Sequence, residues 1–152
     1  MTLLPKSEWG DGPWQTEPDR VEWRHAGLPC LIRRSPGVTG VWCGYVAVPP
    51  GHPAHGAGYD DVAVDVHGGL TYAGDCDGDE GVGICHVPRP GEPADVYWLG
   101  FDCGHAFDIC PALEARYRDL ATRDQVYRDL AYVTAETESL AEQLAEMAAV
   151  PK

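Results

Sequence analysis

Residues 126 to 147 limit the architecture of this chain more than any other stretch. Val126, Leu130, Val133, Thr137, Leu140, Leu144 and Met147 recur at alternating spacings of four and three, which lines them along one face of a helix of about six turns. Thr122 and Gln125 stand at the spacing of a capping box, so the helix is expected over about 123–149. Such a stripe needs a broad apolar surface to lie on, and a sheet supplies one. The spacing is also close to a heptad and permits pairing between two copies, a homodimer through the C-terminal helix. YRDLA at 117–121 returns at 127–131, an offset that matches neither a heptad nor two turns and carries no architecture.

The rest of the chain reads mainly as strands. VEWRHAGLPCLIRR gives two short strands around Ala26-Gly27, SPGVTG is a turn, and WCGYVAV is a third strand ended by Pro49-Pro50. DVAVDVHGG alternates, which sends Val62, Val64 and Val66 to the core and Asp65 and His67 to the other side. VYWLGFDCGH is apolar on both parities and reads as a central strand covered on both faces. The loop-rich stretch between them carries one further short strand, GICHV, and EARYRDLA suggests a short helix before the long one. Residues 1–19, with Trp9 and Trp14, read as an irregular arm packed on the body, and 20–152 as a single domain. The expected fold class is α+β, a largely antiparallel sheet of five or six strands packed by the long C-terminal helix.

Charge narrows the partners. With 24 acidic residues against 11 basic ones the formal charge is -13, and a field of that sign repels phosphate backbones and anionic headgroups. The expectation is therefore no nucleic acid and no membrane, the latter also because no run approaches 18 apolar residues. A charged-then-apolar leader is not visible either, which points to the cytoplasm. There, Cys30, Cys43, Cys76, Cys85, Cys103 and Cys110 are expected as buried thiols or metal ligands. The state of Cys76 and Cys85, which flank the acidic loop DCDGDEG, stays open.

Chemistry concentrates in WLGFDCGHAFD, residues 98–108, where an aromatic strand runs into an acid, a thiol, an imidazole and a second acid. His67 closes another expected strand, so neighbouring strand ends would bring His67, Cys103, His105 and Asp108 together. Thiolate, imidazole and carboxylate are the donors zinc takes, and three of them with an open fourth position form its catalytic arrangement. These four are the candidate metal ligands, zinc is the expected cofactor, and Asp65 or Asp102 can orient an imidazole. Tyr72 can serve as an acid or a hydroxyl contact, which makes Asp65, Tyr72 and Asp102 the candidate catalytic residues. A metal-free version makes Cys103 the nucleophile, His67 or His105 its base and the Gly104 amide an oxyanion donor. The plainer alternative has both histidines bonding backbone and Cys103 as a packed thiol.

Two weaker patterns accompany this cluster. Asp75, Asp77 and Asp79 alternate like the start of a calcium loop, but Glu80 stands where glycine is needed and His86 where a bidentate glutamate is needed. His52 and His55 in GHPAHG could share an ion from one turn. Dinucleotide, P-loop and HExxH signatures are lacking in the sequence.

EPDRVEWRHAGLPCLIRR, GYVAVPPGHPAHG, VHGGLTY, WLGFDCGHAFD and YRDLAYVTAETESLAEQL together resemble a small family of uncharacterised proteins of actinobacteria and their phages, over roughly residues 7–147. VHGGLTY and GFDC(A/G)H are the distinctive motifs. The resemblance implies a phage or actinobacterial origin and no established activity, so no residue roles come with it. Where the family pattern has a glycine before the final acid, this chain has Phe107. Two functions follow as expectations: a small zinc-binding protein hydrolysing a small polar substrate, or a non-catalytic accessory protein that engages a host protein through its acidic surface or its helix.

Overall fold

A computed structural model describes residues 5–35, 39–78, 83–116 and 125–149. Five strands form one antiparallel sheet: β1 Arg20–His25, β2 Leu28–Arg34, β3 Trp42–Val48, β4 Tyr72–Asp75 and β5 Tyr97–Asp102, in the order β1-β2-β3-β5-β4. A short helix, α1 (Pro111–Arg116), and a long one, α2 (Leu130–Ala149), follow. The architecture is α+β, with α2 laid across β2 and β3. The first two strands form a tight hairpin whose turn residues, Ala26 at φ 53° and Gly27 at φ 78°, both adopt the left-handed conformation that a two-residue connection of this hand requires.

Register sorts the side chains between two layers. Gly44 faces α2 so closely that a Cβ there would stand 2.3 Å from Thr137 Oγ1, so its β5 partner Phe101 and its strand mates Trp42, Val46 and Val48 share the helix side. Val133, Thr137, Leu140 and Leu144 of α2 are fully buried against them. Each aliphatic one contributes about 1.5–3 kcal/mol by leaving water. The stripe read from the sequence is therefore covered by the chain's own sheet. On the other face, Tyr45, Trp98 and Leu31 lie under an irregular stretch rather than a second helix. Ile84, Cys85, His86 and Val96 are buried there, the His86 ring stands against Trp98, and Arg20 donates to the carbonyls of Gly83 (2.7 Å) and Cys85 (3.0 Å). A disulfide joins Cys76 and Cys85 at the base of that stretch, the pair whose state the sequence leaves open.

Four local expectations change. The helix begins at Leu130 rather than near 123, and Thr122 lies outside the described residues. Asp129 caps it instead, accepting from the Tyr132 amide at 2.9 Å, while Glu17 of the N-terminal arm accepts from the Leu130 amide at 2.7 Å. Val126, assigned to the stripe, is half exposed and makes a single parallel bridge with Asp108. The GICHV stretch is not a strand; only Ile84 pairs, across to Asp77, and the strand of this region is β4, upstream. Finally, the Val62–Val66 segment is extended but lies outside the sheet. Its alternation survives, with Val66 buried and Asp65 exposed, because the segment runs along α2: Gln143 exchanges two hydrogen bonds of 2.8 Å with the Asp65 backbone, and Glu136 accepts from the His67 amide at 2.8 Å. Side chains of the helix thus replace the missing strand partner.

Candidate functional site

Three segments meet at the end of β5. The chain leaves that strand through Cys103 and Gly104 and makes a tight turn over His105–Asp108, closed by the Asp108 amide donating to the His105 carbonyl at 3.0 Å. Phe107, the third residue of the turn, has φ 76° and is 65% exposed. That is the conformation for which glycine is favoured. Residues 107–109 then pair with Val126, the Val126 amide donating to the Phe107 carbonyl and the Ile109 amide to the Val126 carbonyl. This single bridge brings Arg128 beside Asp108. His67 arrives from the segment along α2 and ends just before Gly68, where a Cβ would lie 2.2 Å from His105 Nε2. Only a residue without a side chain leaves His105 its place.

Asp108 is the centre of the cluster. Its side chain is 1% exposed, and it accepts from His67 Nε2 at 2.7 Å, from Arg128 Nε at 2.9 Å and from the His105 amide at 3.1 Å. Burial opposes its ionisation, yet these three donors outweigh that effect and hold its carboxyl below the ordinary aspartate range. The carboxylate then fixes the imidazole: Nε2 of His67 donates to Asp108, and in the neutral tautomer this leaves Nδ1 to accept from the Tyr132 hydroxyl at 2.8 Å. The Arg128 guanidinium stands 4.8 Å from the Tyr132 ring centre. Burial pushes the Tyr132 phenol upward, so it rests protonated.

The chain matches no protein-family model, no curated protein and no solved structure. The geometry alone carries the chemistry that follows.

Of the four ligand candidates, His67 and Asp108 bond directly and the His67 and His105 rings lie 5.8 Å apart. Cys103 is buried at 1% exposure, and desolvation raises its thiol far above the ordinary value, followed by the charge of Asp108. A thiol in that state is neither a ready nucleophile nor a ready ligand. Both nitrogens of His67 already have partners. Among the described residues no group of three or more histidine, cysteine, aspartate or glutamate side chains is arranged around a common ion position. The catalytic candidates separate: Asp102 and Tyr72 line one cavity on the side of the sheet away from α2, whereas Asp65 is exposed along the helix. Asp102 accepts from Thr71 Oγ1 and the Gly104 amide, each at 2.9 Å, with His105 Nε2 at 3.5 Å.

His52 and His55 do not meet over one ion. His52 accepts from the Ala54 amide through Nδ1 and donates through Nε2 to the Leu144 carbonyl at 2.7 Å, which ties its loop to the last turns of α2. His55 stands 2.9 Å from the Asp95 carbonyl and against the Tyr97 ring. Asp79 and Glu80 of the acidic loop lie outside the described residues.

Sequence reasoning missed Arg128, Tyr132 and Glu136, which supply the cluster from the helix side. For Tyr132 and Glu136 the signal was a spacing of four beside the apolar stripe, the geometry that stacks polar side chains along one edge of a helix; Arg128 precedes α2 and had none.

Proposed function

We propose that this chain is a small acid–base protein that hydrolyses a small polar substrate, with Tyr132 as nucleophile and His67 as its base. The observation that carries this reading is the unbroken chain Asp108–His67–Tyr132, with hydrogen bonds of 2.7 and 2.8 Å on the two nitrogens of one imidazole. It is the order of groups found in carboxylate–imidazole–hydroxyl triads, here with a phenol in place of an alcohol. The phenol oxygen attacks an acyl carbon as its proton passes to His67 Nδ1, and Asp108 stabilises the imidazolium. The proton then returns to the leaving alcohol as its bond to the acyl carbon breaks. Water hydrolyses the resulting aryl ester and restores the phenol. Arg128, over the ring, stabilises the developing phenolate.

The test uses p-nitrophenyl acetate as a generic ester. Hydrolysis is expected above buffer and above a free histidine control, and it should fall at least about tenfold in both Tyr132→Phe and His67→Gln with the fold retained by circular dichroism. A Tyr132→Phe protein as active as the parent would overturn the reading.

The zinc reading is favoured by one observation, the His67 imidazole on Asp108 with the His105 ring 5.8 Å from that of His67. An ion shared by His67 and Asp108 would have to break the bond between His67 Nε2 and the carboxylate. Elemental analysis of untagged protein purified without chelator measures it: near one zinc per chain would replace the relay by a metal centre.

A further inference from the structure

Asp102 opens onto a cavity of about 320 Å³ on the side of the sheet opposite α2. Its floor exists because β5 carries Gly100 there: a Cβ at that position would stand 2.3 Å from the Tyr45 ring, so glycine lets Tyr45 lie flat across the strand. Tyr72, paired with Gly100 from the other side, meets Tyr45 edge to face at 5.5 Å. Hydroxyls of Ser35, Thr39 and Thr71 border the same space. Burial pushes the Cys43 thiol up to about 11 and raises both phenols, so these groups are neutral at pH 7. Asp102 is then the one carboxylate or basic side chain among the described lining residues, and it is 34% exposed. Arg33 is not among the described lining residues, but its guanidinium stands over the Tyr45 ring at 5.9 Å and bonds to Tyr45.

A space walled by a carboxylate, hydroxyl-bearing side chains and two aromatic rings, with no cation and no amide side chain among its described lining residues, has a definite chemical preference. An ammonium group has three donors and no acceptor. It finds a carboxylate to pair with, hydroxyl oxygens for the remaining N–H bonds and ring faces that attract positive charge. An anion meets Asp102 and the field of a chain with formal charge -13. We infer that this cavity binds a small primary amine, its ammonium group against Asp102 and its carbon skeleton over Tyr45 and Tyr72. A smaller cavity of about 150 Å³ beside Pro29 and Pro93 offers no comparable site, because its carboxylate, Glu92, is already paired with Arg24. The amine site lies beyond the His67 relay and does not depend on it.

The experiment is a titration of the full chain with ethanolamine followed by amide NMR shifts, with ethylene glycol as the uncharged match in size and acetate as the anion. Saturable shifts are expected at Thr71, Asp102 and Gly104 for ethanolamine alone. Binding should weaken about tenfold in Asp102→Asn, whose one oxygen still accepts from the Gly104 amide while its NH2 group donates to the Thr71 hydroxyl, which can turn to accept. Shift mapping on the parent protein keeps the test decisive should that variant unfold. Equal binding of ethylene glycol, shifts confined to other regions, no saturation, or an unchanged affinity in a folded Asp102→Asn protein would each overturn the inference. None of these outcomes bears on ester hydrolysis by Tyr132 and His67, so the two readings fail separately.

Discussion

Replacing Asp108 by alanine is expected to remove a large part of the stability of the whole domain. Its carboxylate accepts three hydrogen bonds at 1% exposure, two of them from side chains that reach it across 41 and 20 residues of chain. Charge-assisted bonds contribute roughly 1.5–3 kcal/mol each, but the partners do not lose equally. His67, 13% exposed, would keep an unpaired N–H, whereas Arg128, 26% exposed, can turn toward water. A net cost of about 3–5 kcal/mol follows, the range for breaking a buried pair from one side. Urea denaturation reads it directly: with a slope near 2 kcal/mol per molar, the midpoint should drop by roughly 2 M. Arg128→Ala should cost less, about 1–2 kcal/mol. The pH dependence has a fixed sign. Because the folded carboxyl titrates below its unfolded value of about 3.9, its contribution is complete above that pH and is lost as pH falls through the lower folded value. The gap between parent and Asp108→Ala should therefore narrow in acid. A gap below about 1 kcal/mol at pH 7, or one that widens toward pH 3, would refute the description of Asp108 as the buried charged centre.

Phe107→Gly should stabilise the protein by roughly 0.5–1 kcal/mol, since relief of a left-handed conformation outweighs the added chain entropy at an exposed site; a lower melting temperature would mean that the aromatic ring has a packing role. Gly68→Ala should cost about 1–2 kcal/mol from its φ of 69° and push His105 aside, visible as a shift of the His105 ring resonances while the His67–Asp108 proton signal persists. Reducing the Cys76–Cys85 bridge, with its sequence separation of nine, should cost about 2–3 kcal/mol and lower the melting temperature by roughly 5–10 °C; an unchanged melting curve in dithiothreitol would show that the loop is held by Arg20 and its apolar contacts alone.

What the sequence makes legible follows from how local each signal is. The first hairpin, β3, β5 and the body of α2 come from periodicity and turn chemistry within a few residues, and the structure retains them. The Val62–Val66 segment shows the limit. Its alternation reports which side chains are buried, but a strand and an extended segment along a helix have the same period, and only Gln143 and Glu136, some seventy residues away, decide between them. The start of α2 was misread for a related reason: Val126 fits the helical stripe, yet its backbone pairs with Asp108. At the site, His67 and Asp108 meet, but not as the neighbouring strand ends the sequence suggests: His67 arrives on a segment outside the sheet, held along α2. The residues that complete the network were hidden for two reasons: a polar edge on an amphipathic helix, here Tyr132, ordinarily faces solvent, and Arg128 lies before the helix, placed by the pairing of Val126.

The Glu17 contacts carry a consequence for how the chain reaches this fold. Glu17 pairs with Arg34 at 2.9 Å, accepts from Trp42 and Tyr127, and caps the Leu130 amide across 113 residues. Every strand leaves the ribosome before the helix that covers it, so a nascent chain exposes Trp42, Val46 and Phe101 until α2 has emerged. Contacts of such long sequence separation close late and slowly. During that interval the naked sheet face is open to association with other chains, and the protein's dependence on chaperones during synthesis should exceed what its small size suggests.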